Sequence, residues 1–272
     1  MKFNLKQAFT YFYNDCTLKK KILILYFLAV FAILAESFGA IANSINGAVL
    51  EKLLKHPEIF ITSVAVFIIT IVASCFYSGY FAINTNIRIH KPESKLPELN
   101  NWKAFFLNGL KIFAGFFVWQ IITAFLAFTI LFVLVISGIM LSVLLKMWLQ
   151  NIPVPDKEFF AAAAVIMAIF AIILGITFGL VQLGAYTSFL TNLDLDSFFD
   201  FKKIKKIIFK NFKPFMKYFG FLLLLKILYL ILFVILCITI IGIIFLPVLQ
   251  EYYSIISSDI QAQFIRKLFK IE

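Results

Sequence analysis

Charge is scarce in this sequence, and acid scarcer than base. Only 14% of its 272 residues are charged, with 14 Asp and Glu against 25 Lys and Arg. Soluble domains are about one quarter charged. Histidine is nearly absent: His56 and His90 are isolated. The three cysteines, Cys16, Cys75 and Cys237, have no metal-ligand spacing and read as small apolar fillers. The chain has no Walker loop, no nucleophile elbow, no HExxH helix and no paired metal ligands. No catalytic, cofactor-binding or metal-binding residue is therefore assigned, and the expectation is a protein that is not an enzyme. Alternating strand patterning is also missing, which removes a β-barrel from consideration.

What is present is apolar surface. The chain is 62% hydrophobic, carries 35 Phe and has a mean hydropathy of +0.99. Residues Ile112 to Leu145 and Phe159 to Leu193 contain no charge. About 20 helical residues cross the roughly 30 Å hydrocarbon layer, so both runs exceed one crossing. Both must tilt, kink or project, and Ser137-Gly138 is a candidate break. Only helices with satisfied backbones cross there once barrels are excluded. The fold class is an all-α, multi-pass membrane protein.

The net charge of +11 is explained by its distribution, without nucleic acid. Base clusters at Lys2, Lys6 and Lys19 to Lys21, at Arg88, Lys91, Lys95, Lys103 and Lys111, along 202–217, and at Arg266, Lys267 and Lys270. The intervening loops carry only Lys52, Lys55, Lys146 and Lys157. The positive-inside rule places the first set, and both termini, in the cytoplasm. A cleavable leader ending at Ala40-Ile-Ala42 is weighed and set aside, because Glu36 interrupts its apolar region.

Internal repetition sets the architecture. Tyr80, Thr85, Asn86 and Ile87 recur at the same spacing as Tyr186, Thr191, Asn192 and Leu193, and again as Tyr253, Ser258, Asp259 and Ile260. Two apolar or aromatic residues, any residue and Asn recur at Asn14, Asn108 and Asn211. The expectation is one polytopic domain over 1–272, with repeat units of about 1–88, 97–193 and 197–272. Each unit comprises an amphipathic interfacial helix and a hairpin of two spans, giving six transmembrane helices as three hairpin repeats. Span one is expected at about 22–42 and span two at about 59–83. Spans three and four fill the two uncharged runs, with the outer turn at Pro153 and Pro155. Spans five and six are expected at about 215–240 and 243–265. Span six carries Glu251 and Asp259, yet Gln250, Ser254, Ser257, Ser258 and Gln261 form one helical stripe that can face protein. The alternative is five spans and an outer amphipathic helix.

The third interfacial helix is the most basic. Phe201, Ile204, Ile208, Phe212 and Phe215 follow helical spacing, while Lys202, Lys203, Lys205, Lys206, Lys210 and Lys213 fill most of the rest. Asp196 or Ser197 is expected to cap it. Each lysine near an anionic leaflet contributes about 1 kcal/mol. Those six lysines are the candidate anionic-lipid contacts, and simple anchoring of the fold is the plainer explanation.

Gly79-Tyr80, Arg88, Leu96-Pro97, Trp102 and Gly109-Leu110-Lys111, with Ile241-Gly242 through Leu246-Pro247 and Tyr252-Tyr253, carry a family likeness. The chain resembles the prokaryotic membrane proteins grouped as domain of unknown function 4013. The resemblance implies a cytoplasmic-membrane protein and brings no catalytic or ligand residues.

Three groups of residues remain as candidate sites. Glu36 and Lys226 lie at depths differing by roughly 5 Å, so they are a candidate intramembrane pair, a proton or ion path, or two residues that snorkel apart. The repeated Tyr80, Thr85, Asn86, Tyr186, Thr191, Asn192, Tyr253, Ser258 and Asp259 could converge on a headgroup or ion, or simply let helices pack and end. Asp194, Asp196 and Asp200 read as helix capping beside the lysines rather than a divalent-ion site. The leading expectation is a non-enzymatic lipid-binding or membrane-organising protein whose partners are membrane lipids, the anionic inner leaflet and another membrane protein. A transporter or channel for a lipid-like or small solute is second, and a membrane-embedded lipid-modifying enzyme third.

Overall fold

The computed structural model describes residues 21, 23–30, 33, 57–148 and 156–270. Among these residues every regular element is helical. A first helical stretch, α1, covers residues 23–30. The others are α2 (Pro57–His90), α3 (Trp102–Trp148), α4 (Asp156–Asn192), a 3-10 turn (Leu195–Phe198), α5 (Phe201–Lys205), a π turn (Lys206–Lys210), α6 (Phe212–Cys237) and α7 (Ile240–Phe269). Among the described residues four stretches are long and apolar enough to cross a membrane: Ile61–His90, Trp102–Ile130, Ala168–Asn192 and Phe212–Cys237. The chain is a membrane protein. The interfacial helix expected at the start of the first unit, the repeat Asn14, Glu36, most of span one and the turn prolines Pro153 and Pro155 lie outside the described residues.

Several boundaries differ from expectation for identifiable reasons. Trp102 does not begin a separate surface helix; α3 runs unbroken from Trp102 and passes through Ser137 and Gly138. Asn108 returns its side-chain amide to the Ala104 carbonyl, 2.9 Å away, so it stays within the helix instead of ending it. The lysine-rich segment is broken where a continuous helix is expected. Its cap is Asp200, whose carboxylate accepts from the Lys203 backbone N–H at 3.0 Å, and neither Asp196 nor Ser197 has that role. The turn before α7 falls at 238–239, with the Thr239 hydroxyl capping Gly242 N–H at 3.0 Å.

The chain divides into two compact units. Residues 114–184 form one. Its helices present large apolar side chains outward, including Phe125, Phe128, Ile172 and Ile176, as expected of lipid-facing surface. The other unit comprises 1–113 and 185–272. Its core joins Leu25 and Ala29 of α1 to Tyr77, Tyr80 and Phe81 of α2, Leu96, Phe105 of α3 and Ile255 of α7. Within it α2 and α3 pack through glycine. A Cβ on Gly79 would collide with the Phe105 carbonyl, and one on Gly109 with the Cys75 carbonyl. Small residues let membrane helices approach this closely.

Helix α7 is the most polar of the long helices, and it is covered. Gln250, Glu251, Ser258, Asp259, Gln261 and Gln263 are all buried. Its neighbours are α2 and α6. On the α6 side, Tyr218 stacks on Phe264 with ring centroids 4.2 Å apart and planes 4° from parallel.

Candidate functional site

The C-terminal halves of α2, α4 and α7 carry the three repeated motifs; Asn86 of the first copy reaches the second, and Arg88, just beyond the first copy, reaches the third. A helix end leaves carbonyls without intrahelical donors. At the end of α4 those carbonyls are met by cationic and amide groups. Asn86 donates its amide to the carbonyls of Leu190, at 2.9 Å, and Thr191, at 3.1 Å. Lys111 donates to the Leu193 carbonyl at 2.8 Å. Leu193 itself takes a left-handed conformation (φ 55°) that stops the helix. Asn86 therefore ends a helix, but not its own: α2 continues to His90.

The first and third copies are tied by charge. Arg88, two residues beyond Asn86, pairs with Asp259 at 2.7 Å, and both side chains are 1% exposed. Asp259 also accepts from the Gln263 amide at 2.7 Å, and Arg88 reaches the Pro92 carbonyl at 3.5 Å. Because a buried charge without a partner is costly, this pair fixes the register of α2 against α7. In the sequence Arg88 counts among the inner basic residues and in the family likeness, without a place in a site; its signal was its position within a turn of Thr85 and Asn86.

The remaining motif residues support packing around this junction. Tyr80 is fully buried and donates to the Pro97 carbonyl at 3.3 Å. Its ring meets Phe105 edge-on. Thr85 and Thr191 return their hydroxyls to the Phe81 and Ser188 carbonyls. Tyr186 stacks beside Phe189 and Phe198. Ser258 is buried, whereas Asn192 is exposed. Lys21, also buried, spans to the Leu96 carbonyl at 2.8 Å.

Lys203 differs from the other lysines of its segment. It donates to the Thr191 hydroxyl at 2.5 Å and lies over the Phe269 ring, while Lys202, Lys205, Lys206, Lys210 and Lys213 are exposed. Burial pushes its pKa down, and Asp200 pulls it partly back. Lys203 is thus turned toward protein instead of lipid. Lys226 places its ammonium over the rings of Tyr229, at 4.9 Å, and Tyr253, at 5.3 Å. Its suggested partner Glu36 lies outside the described residues.

Two surfaces face outward from this unit. One is the face of 201–213, where Phe201, Phe209 and Phe212 are exposed beside the five exposed lysines while Ile204, Ile207 and Ile208 are buried beneath. The other is an apolar groove of about 380 Å³ between α1 and α2, lined by Ile24, Phe27, Leu28, Ile68, Ile69, Val72, Ala73 and Phe76. Among the described residues no group of three His, Cys, Asp or Glu is placed to hold a metal ion.

A family model described as protein of unknown function (DUF4013) matches residues 61–241. No curated protein and no solved structure matches the chain.

Proposed function

We propose, from the premise that the chain belongs to the DUF4013 family, that it is a non-enzymatic lipid-binding protein that organises the inner leaflet of a prokaryotic cytoplasmic membrane. The observation that carries this reading is the outward face of 201–213. Phe201, Lys205 and Phe209 form one exposed stripe at four-residue spacing, and Lys202, Lys206 and Lys210 form the next. Rings that enter the acyl boundary beside ammonium groups at headgroup level suit an anionic leaflet. The apolar groove between α1 and α2 supports it: with no polar side chain among its lining residues, it suits an acyl chain. In this reading the chain crosses six times as three hairpins, with both termini cytoplasmic. The covered polar stripe of α7 supports the sixth crossing, since such side chains are tolerated at membrane depth when they face protein.

The test is lipid mass spectrometry on the full chain purified in mild detergent. Anionic phospholipid should be enriched over the bulk membrane. Changing Lys202, Lys205, Lys206, Lys210 and Lys213 to Gln should abolish the enrichment, and Lys203→Gln alone should leave it intact. Equal lipid composition in all three proteins would reject this reading. A co-purifying polar solute would favour a transporter instead.

A further inference from the structure

Glu251 has no place in the junction described above. It sits 11 residues after Ile240 and 18 before Phe269 in α7, about 16 Å and 27 Å from the helix ends at 1.5 Å per residue. It is 1% exposed, and its Oε1 has no hydrogen-bond partner. The neighbouring Gln250 is 8% exposed, and its Oε1 is likewise without a partner. One turn further along the stripe, Ser254 shares a 3.0 Å hydrogen bond with Tyr77 of α2. Also on α2, Ser74 has a buried hydroxyl oxygen without a partner. Unpartnered buried polar atoms thus occur on both α7 (Gln250, Glu251) and α2 (Ser74), two helices that pack together.

The charges nearby are already engaged. Asp259, eight residues along α7, has Arg88 and Gln263. Lys226 of α6 is turned to the rings of Tyr229 and Tyr253 and makes no ion pair with Glu251. The other titratable groups on the packed elements include Cys75, Tyr77 and Tyr80 of α2, Tyr218, Tyr229 and Cys237 of α6, Tyr252 and Tyr253 of α7, and Tyr26 of α1, whose hydroxyl donates to the Ile244 carbonyl at 3.0 Å; the cations lie toward helix ends, with His90 closing α2, Lys213 and Lys217 opening α6, and Arg266 and Lys267 15 and 16 residues beyond Glu251. None of these supplies a positive charge to Glu251. A carboxylate withdrawn from water without a counter-charge escapes the cost by taking up a proton.

We propose that Glu251, buried where α7 packs against α2 and α6, is a proton-binding site. Loading adds one proton to a carboxylate oxygen, release returns it to water, and nothing is oxidised or reduced. This inference is independent of the lipid reading, because none of its residues belongs to the basic face or the groove.

A hydrophobic carbodiimide reacts with protonated carboxyls that are out of water, and the adduct is located by peptide mass spectrometry. On the full chain in phosphatidylcholine vesicles, Glu251 should be modified and Asp259, held as an ion pair by Arg88, should not. Modification should fall about tenfold per pH unit above the midpoint of the Glu251 titration, and recover when the pH is returned before the reagent is added. Glu251→Gln should remove the infrared carbonyl band of the protonated acid. Should that variant fail to fold, the titration of the unchanged protein and the shifted band of Glu251→Asp still decide the matter. Absence of modification at every pH, modification indifferent to pH, or protection by sodium ion at constant pH would each overturn the proposal, the last in favour of a cation site.

Discussion

At the scale of single residues, the Arg88–Asp259 pair is the contact with most at stake. Both groups are 1% exposed and 2.7 Å apart. Removing one partner leaves the other charge buried, at about 3–5 kcal/mol, whereas replacing both by apolar groups is often far less costly. Arg88→Met and Asp259→Leu should therefore each lower thermal stability in detergent strongly, and the double variant should recover much of the loss. Additive losses would show that the two side chains stabilise the fold separately. Lys203→Gln should also reduce stability, because it abandons the Thr191 hydroxyl, while Lys205→Gln on the exposed side should not. The sequence alone grouped all six lysines on one face. Lys203 adjoins the buried Ile204 and stands four residues before the buried Ile207, so it borders the inward face, and a pattern that sorts residues only as apolar or basic does not separate it from the five exposed lysines.

At the scale of elements, the crossing of α2 and α3 depends on the absence of two side chains. A methyl group on Gly79 or Gly109 meets backbone carbonyls, which cannot rotate out of the way as a flexible side chain would. Gly79→Ala and Gly109→Ala should each cost about 1–3 kcal/mol or more, read as a lower unfolding temperature. Alanine at Gly175 or Gly179, where nothing lies within 4 Å, should leave it unchanged. Long apolar helices were legible from the uncharged runs, because hydropathy over 20 residues overwhelms local detail. Their ends were less so. Asn86 looked like a terminator of its own helix, yet its amide closes α4 through the Leu190 and Thr191 carbonyls, 104 and 105 residues away. A polar side chain near a helix end signals a bond to some carbonyl, and only the fold says whose.

At the scale of the molecule, the repeated motifs were legible as a pattern, and their meaning lay in contacts that the pattern does not encode. The first copy touches the second through Asn86 and the third through Arg88 next to it. The C-terminal parts of α2, α4 and α7 therefore meet, and in the proposed reading they have to lie on one side of the membrane. Helix α2 and α4 are each apolar enough to cross. If α3 and α4 make one hairpin and α6 and α7 another, then α7 must cross to bring Asp259 back to Arg88. Helix α7 is not among the four apolar spans, and its polar residues Gln250, Glu251, Ser258, Asp259, Gln261 and Gln263 are buried. The base-rich segments around Arg88, Lys202 to Lys217 and Arg266 to Lys270 flank these same ends, and in the proposed reading that side is the cytoplasm. Reporter fusions after residues 95, 215 and 272 should accordingly all report cytoplasmic, and a fusion after residue 155 external. A 272 fusion reporting external would place the C-terminus opposite Arg88, which is incompatible with the 2.7 Å pair, and would leave five crossings.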